Sequence, residues 1–250
     1  MQPDPTSLLD SAGIDTPVIG FYDLSDPQPF EPFARPRRCI FSAWESWRAG
    51  ESVHITRGSC SCMGGGYWIG GAMPAWALKA AGAEQPPLEA FTSRLNQREG
   101  FKDSDEVLLR EFEHRKPYTI RNGHVVIGPL RADQYRHLRT VTFYLNPDQL
   151  SLFVNAAEYH NASPASAITV PFGAGCGQLA AVLGDLDTDV PRAAIGATDV
   201  AMRQHLPPEL LAFTVNKPMF EQLCALDERS VLHKPFWRQL QRARRDQHES

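Results

Sequence analysis

Apolar and polar positions along this chain switch repeatedly between the two-residue period of a strand and the three-to-four-residue period of a helix. Thr16-Pro17-Val18-Ile19-Gly20-Phe21-Tyr22 is short, β-branched and aromatic, and a polar, Pro-rich stretch follows it from Asp23 to Pro36; the pair predicts a strand and then a loop. From Cys39 to Ala49 the apolar positions fall at helical spacing until Gly50 stops them, which puts Cys39 in the first turn of a helix. Ser52 to Thr56 returns to a strand. Gly58 to Gly66, with Cys60 and Cys62 inside it, predicts a loop leading into Tyr67-Trp68-Ile69, and Leu88 to Arg98 and Asp105 to Arg115 predict amphipathic helices.

The second half continues in the same manner. Tyr118 to Ile127 predicts a strand-like passage turning at Asn122-Gly123, a strong hairpin dipeptide. Thr140 to Leu145 predicts a strand, and Asp148 to Tyr159 a helix opened by Pro147. Ala167 to Val170 is a strand, Gly173 to Gly177 a loop around Cys176, Gln178 to Leu183 a short helix, and Arg192 to Ala197 another strand. Pro207 to Thr214 passes from helix to strand, and Met219 to Ala225 and Pro235 to Arg245 are terminal helices. Strands and helices interleave without a separating linker, so the expected fold is α/β or mixed α+β, a single domain over residues 1–250.

Set side by side, the two halves echo one another. Phe21-Tyr22 and Phe143-Tyr144 each end a strand that leads to a helix, a second strand, a glycine-rich loop with a cysteine and a closing glycine. Cys62 to Cys176 and Gly70 to Gly184 are both steps of 114 residues, while Phe21 to Phe143 is a step of 122. The echo predicts two similar strand-helix-strand-loop halves packed together, an internal duplication over 16–72 and 138–198.

Composition narrows the function classes. With 25 Lys and Arg against 29 Asp and Glu, the net charge of −4 gives no general basic field for phosphate backbones, so no nucleic-acid partner is expected. The first residues lack the charged and apolar regions of a signal peptide, and no apolar run reaches the length of a membrane span. A cytoplasmic protein without a membrane partner is the expectation. Five cysteines, an odd number, argue against a secreted disulfide framework and leave core packing, metal ligation or thiolate chemistry.

Pro17-Val18-Ile19-Gly20-Phe21, Cys39 opening a helix, Cys62-Met63-Gly64-Gly65 after a strand, Asn146-Pro147 heading a helix, and the Cys176 loop followed by Arg192-Ala193-Ala194-Ile195-Gly196 occur here in one order. In that order and spacing the chain resembles, from Pro17 to about Leu226, the family called domain of unknown function 169. The family's first loop usually reads Cys-Pro-Gly-Ala, and Met63 stands here in place of the proline. The resemblance implies a fold and a site location and names no reaction.

The candidate site comprises Cys39, Cys62 and Cys176, each at a helix start or in a glycine-rich loop. Helix N-termini and runs of glycine N–H groups stabilise thiolates, and the same N–H groups can bond to the sulfides of a cluster. If the halves face one another, Cys62 and Cys176 meet near the axis with Cys39 as a third contributor. Three cysteines suffice for an iron–sulfur cluster with one open iron, or for a single metal with an open position for a small molecule. Cys60 would be a spare ligand, and Cys224, in an apolar helix, belongs to the core. The set lacks the compact C-x-x-C spacing of a metal site readable from sequence alone.

A competing reading takes Gly64, Gly65, Gly175 and Gly177 as a cradle for a small anionic or phosphate-bearing ligand, making the protein a non-enzymatic binding module. Gly175-Cys176-Gly177-Gln178-Leu179-Ala180 fits G-x-G-x-x-A, with Asp199 ending the next strand, although the helix is short for a dinucleotide crossover. Asp185 to Asp189 mimics a calcium loop but carries Val190 and Gly196 where that loop needs glycine and glutamate. His54 and His124 are expected as satisfied histidines on strands, His160 is the histidine to test as an acid or base, and Arg238 to Arg245 reads as a solvated helix face.

Overall fold

The computed structural model describes residues 3–36, 39–57, 59–60, 62–70, 88–115, 117–172, 175–181 and 189–248. Among them lies one mixed sheet of eight strands, ordered β2-β3-β4-β1-β5-β8-β7-β6. Its centre is β1 (Ile19–Leu24), buried along its whole length, which pairs antiparallel with β4 (His124–Pro129) and β5 (Leu138–Leu145). Near-continuous apolar runs such as Val141 to Leu145, broken only by threonines, suit strands covered on both faces. The Thr142 and Thr214 hydroxyls satisfy each other at 2.8 Å, which removes the cost of burying them.

Outward from the centre lie β8 (Leu211–Asn216) and β7 (Ala193–Gly196) on one side and β3 (Ser52–Ile55) on the other, all antiparallel to their inner neighbours. Two-residue strands, β2 (Phe33–Ala34) and β6 (Ile168–Thr169), end the sheet, each parallel to its neighbour. Read inward, the two ends run β2-β3-β4-β1 and β6-β7-β8-β5, the same pattern four strands on.

One core covers each face, and alternation along β1 sends Phe21 to one and Tyr22 to the other. Against the Phe21 face lie α2 (Trp44–Arg48), α3 (Met63–Trp68), α4 (Leu88–Glu99), α5 (Asp105–His114) and α7 (Gly175–Ala181). Against the other lie α1 (Thr6–Ala12), α6 (Pro147–Ala157), α8 (Lys217–Cys224) and α9 (Pro235–His248). Both α6 and α8 start where a strand runs into an asparagine cap followed by a proline in the first turn; at Asn146 the cap is a full box, with Gln149 N–H on the Asn146 side chain at 2.9 Å and the Gln149 side chain on the Asn146 N–H at 3.1 Å.

The predicted strands and long helices are present, no helix opens at Pro207, and three further local readings change. Residues 117–120 are not a strand, so Asn122-Gly123 does not close a hairpin. The buried Asp23 carboxylate instead takes the Tyr118 hydroxyl and the backbone N–H groups of Arg121 and Asn122, the latter two at 2.9 Å, which fastens that segment to the end of β1. The two glycine-rich loops wind into helices, α3 from Met63 and α7 from Gly175. The residue echo also fails to match the sheet. Phe21 and Tyr144 share one face while Tyr22 and Phe143 share the other, so equivalent letters of the two Phe-Tyr pairs lie on opposite faces. The strand at Val53 is the inner β3, whereas that at Ile168 is the edge strand β6, and Gly184 lies outside the described residues. An internal duplication over 16–72 and 138–198 is therefore not confirmed.

Candidate functional site

The three cysteines come from three different connections on one face of the sheet: Cys39 between β2 and β3, Cys62 between β3 and β4, and Cys176 between β6 and β7. By strand order the counterpart of Cys176 is therefore Cys39, and Cys62 is the extra member. Cys39 is the extended residue before a 3₁₀ turn, Ile40–Ala43, closed by the Ser42 hydroxyl on the Cys39 carbonyl at 2.8 Å. The following helix is seated by the Trp47 indole N–H on the Ile127 carbonyl at 3.1 Å. Cys62 caps α3, its sulfur accepting the Gly65 N–H at 3.5 Å. Met63 thus holds the first helical position, where proline fits because its missing N–H has no intrahelical partner; this explains how methionine and proline can exchange there. Cys176 lies in the first turn of α7, which the Thr140 hydroxyl ties to the sheet through the Leu179 carbonyl at 2.7 Å.

Cys39, Cys62 and Cys176 share one core, and each acts electrostatically on the others. Charge consequently collects on one atom. Cys176 and then Cys39, with the Gly65 and Gly64 N–H groups, hold the Cys62 thiol far below its ordinary range against the opposing effect of burial. The same interaction with Cys62, reinforced by burial, pushes Cys39 and Cys176 far above theirs. Cys60, also buried, is raised to about 11, chiefly by burial, and faces Gly65 and Ile40.

The glycines earn their places mostly by lacking a Cβ. One on Gly65 would stand 2.6 Å from the Cys60 sulfur and 2.7 Å from Ile40 Cδ1; one on Gly175 would meet Met202 at 2.9 Å and Phe41 at 3.1 Å; one on Gly177 would lie 3.3 Å from the Trp68 ring. They let α3 and α7 approach each other and the sheet, while the Gly64 and Gly65 N–H groups point at Cys62. Asp199, the acidic residue of the dinucleotide-like pattern, turns back and accepts the Gly175 N–H at 3.2 Å, occupying with its own negative charge a donor that a phosphate would need.

A residue that sequence reading passes over lies in the same core. Tyr144, read only as the end of a strand, is fully buried in the same core, 4.8 Å edge-on from Trp44 and 6.4 Å from Trp47 between ring centroids. Among the described residues its hydroxyl has no hydrogen-bond partner, and Cys176 and Cys39 act on it electrostatically. Alternation along β5 was the available signal, since it assigns Tyr144 to the face on which the cysteine loops return.

The other candidates lie apart. His54 and His124 satisfy each other at 2.9 Å beside Phe33. His160 is exposed next to Tyr159, outside the cysteine core. Cys224 joins the opposite core and is raised to about 12 by burial. In the basic stretch, Arg244 pairs with Asp148 at 2.7 Å on the surface of α9. Residues 182–188, with most of the calcium-like loop, lie outside the described set. Among the described residues no group of three or more His, Cys, Asp or Glu is arranged as a ready metal shell, and no helix is long and apolar enough to cross a membrane.

Comparison with known proteins agrees with the order of motifs. No curated protein and no solved structure matches the chain. A family model, described as uncharacterised ArCR, matches residues 7–225, a span that takes in all three cysteines, Asp199 and Tyr144. The chain belongs to that family, domain of unknown function 169.

Proposed function

We propose that Cys39, Cys62 and Cys176 bind one thiophilic metal ion, leaving a coordination position open for a small molecule in a redox or Lewis-acid reaction. The observation that supports this reading is that three cysteines, from three separate connections, enter one core on one face of the sheet. Core packing needs no such meeting, since a buried sulfur is equally well served by aliphatic neighbours. Around a tetrahedral ion with metal–sulfur bonds of about 2.3 Å, thiolates stand roughly 3.8 Å apart, which is the scale of a thiol–thiol hydrogen bond. The shell would close by rotation of the Cys39 and Cys176 side chains toward the ion.

Anaerobic purification followed by metal analysis and a visible spectrum tests this reading. About one zinc, iron or copper per chain, lost in Cys62→Ala and in Cys176→Ala, supports it, and a broad visible absorption would shift the assignment to a cluster. Metal-free protein that takes up neither Zn²⁺ nor Co²⁺ overturns it. A second reading, a metal-free redox couple, draws on the same grouping of thiols. Cys62 and one neighbour would give two electrons and two protons to an oxidant such as glutathione disulfide and form one S–S bond, visible as a cross-linked peptide. An anionic ligand at the glycines has less support, because Asp199 already holds the Gly175 N–H.

A further inference from the structure

We infer that a cavity between α1 and α9 is a binding site for a small dicarboxylate, held by the guanidinium groups of Arg238, Arg242 and Arg245. The cavity is built on the core of the opposite sheet face from the cysteines, and the inference stands apart from the metal reading.

The cavity measures about 410 Å³, within the range of small-molecule sites. Its two walls are tied together. The Trp237 indole N–H donates to the Ser11 carbonyl at 2.7 Å. One turn further along α9, Gln241 meets the end of α1 so closely that a Cβ on Gly13, whose φ is +64°, would stand 3.2 Å from its Nε2. Arg238, Arg242 and Arg245 follow one another at the spacing of a single helix face and line the space between the walls.

Among the described residues none of these three guanidinium groups has an ion-pair or hydrogen-bond partner. Arg244, which does not line the cavity, is committed to Asp148 through two bonds at 2.7 and 3.3 Å. Left without a counter-charge, the lining arginines work against their own helix. Arg238 and Arg242 are like charges four residues apart, and Arg238 stands in the first turn, where the helix dipole is positive and no acidic residue offsets it. Against three guanidinium charges the cavity sets one carboxylate, Asp10, which leaves a surplus of two positive charges with His233 neutral.

A dianion cancels that surplus, and the layout says how its charges are placed. From Arg238 to Arg245 the helix rises about 10 Å, further than one compact anion spans, so two anionic groups set apart suit the row better than one. A bisphosphate has that shape but carries about −3 to −4 near neutral pH, more than the surplus. A dicarboxylate matches both the charge and the spread, and each carboxylate can accept paired N–H bonds from a guanidinium fork. Asp10 repels any further negative group and so limits the ligand to two.

Thermal shift and calorimetric titration of the full chain with glutarate and adipate, against acetate and inorganic phosphate at equal ionic strength, test this. The expected result is a raised melting temperature and saturable binding with a dicarboxylate, and neither with acetate or phosphate. Affinity should weaken by about tenfold or more in Arg238→Gln and Arg242→Gln, tighten in Asp10→Asn, and stay unchanged in Arg244→Gln. Ligand-free melting curves of the two lining variants, expected to match the wild type because both arginines are exposed, separate lost binding from lost folding. Failure of both dicarboxylates to bind overturns the inference. Equal weakening in Arg244→Gln and Arg242→Gln overturns it as well, by reducing the effect to general attraction toward a basic helix, and phosphate binding as tightly as the dicarboxylates overturns the two-group reading.

Discussion

Replacing Gly65 with alanine separates the two services that this glycine performs. Alanine keeps the N–H that donates to Cys62, so the sulfur's local electrostatics survive, while the new methyl must enter a filled space. That methyl would stand 2.6 Å from the Cys60 sulfur and 2.7 Å from Ile40 Cδ1, inside the distance at which such atoms ordinarily stop. Both neighbours are buried, Ile40 at 1% and Cys60 at 7% exposure, so neither can swing into solvent. Overpacking of this kind costs about 1–3 kcal/mol, and the gain in helix propensity from glycine to alanine returns at most about 1 kcal/mol. The balance is a loss of roughly 1–2 kcal/mol, equivalent to a melting temperature lower by about 2–8 °C for a chain of this size. Gly177→Ala is the internal comparison: its methyl would lie 3.3 Å from the Trp68 ring, a clearance that a few tenths of an ångström restores, and its cost should be close to nil. Thermal melts of both variants, metal-free and under reducing conditions, read this directly. A Gly65→Ala protein as stable as the wild type, or more so, would refute the packing argument and leave the backbone N–H as the reason for glycine there.

Asp23→Ala strands the Tyr118 hydroxyl and two backbone N–H groups; with charge-assisted bonds at about 1.5–3 kcal/mol each, the loss should be about 3 kcal/mol or more. Denaturant midpoints will show it, with Asp23→Asn recovering part, and a cost under about 1 kcal/mol would contradict the anchoring role. The melting temperature should fall as pH drops from neutrality below the unfolded histidine value of about 6.5, because burial and then the nearby His124 lower the folded pKa of His54 and the unfolded state binds the proton more readily. His137 is also lowered, first by burial, and adds to the same window, so His54→Gln should flatten the slope in part; an unchanged slope would exclude His54 as a source. Inorganic phosphate should leave the melting temperature of the wild type unmoved, since Asp199 holds the Gly175 N–H, and a clear rise would revive the anion-binding reading.

Much of the architecture is legible in the chain because its periods are strong. Val141 to Leu145 can only be a strand covered on both faces, and Asn146-Pro147 states its own helix start. The failures have identifiable causes. Asn122-Gly123 carries hairpin chemistry, but a hairpin needs a strand before the turn, and the carboxylate of Asp23, 99 residues earlier, captures that segment instead. The glycine-rich loops became helices because their glycines answer crowding from Trp68, Ile40 and Met202, partners that no local window contains. The cysteine set was visible as a set, and its members enter one core. The symmetry expected to bring them together is not confirmed; Cys39 lies between β2 and β3, Cys62 between β3 and β4, and Cys176 between β6 and β7. Tyr144 was hidden because a strand period says which face a residue takes but not what returns over that face.

The short strands at the two ends of the sheet carry a consequence for how this protein behaves in company. A sheet edge is a template on which a foreign strand can register, and its hold grows with the number of free backbone groups in the row. Here the row is two residues long on both sides, Phe33–Ala34 and Ile168–Thr169, each laid parallel on its neighbour, so an intruding chain would find too few rungs to repay the cost of lining up. The centre of the sheet, with its uninterrupted apolar strands, is the part most prone to aggregate if bared; it is also the part set furthest from either edge.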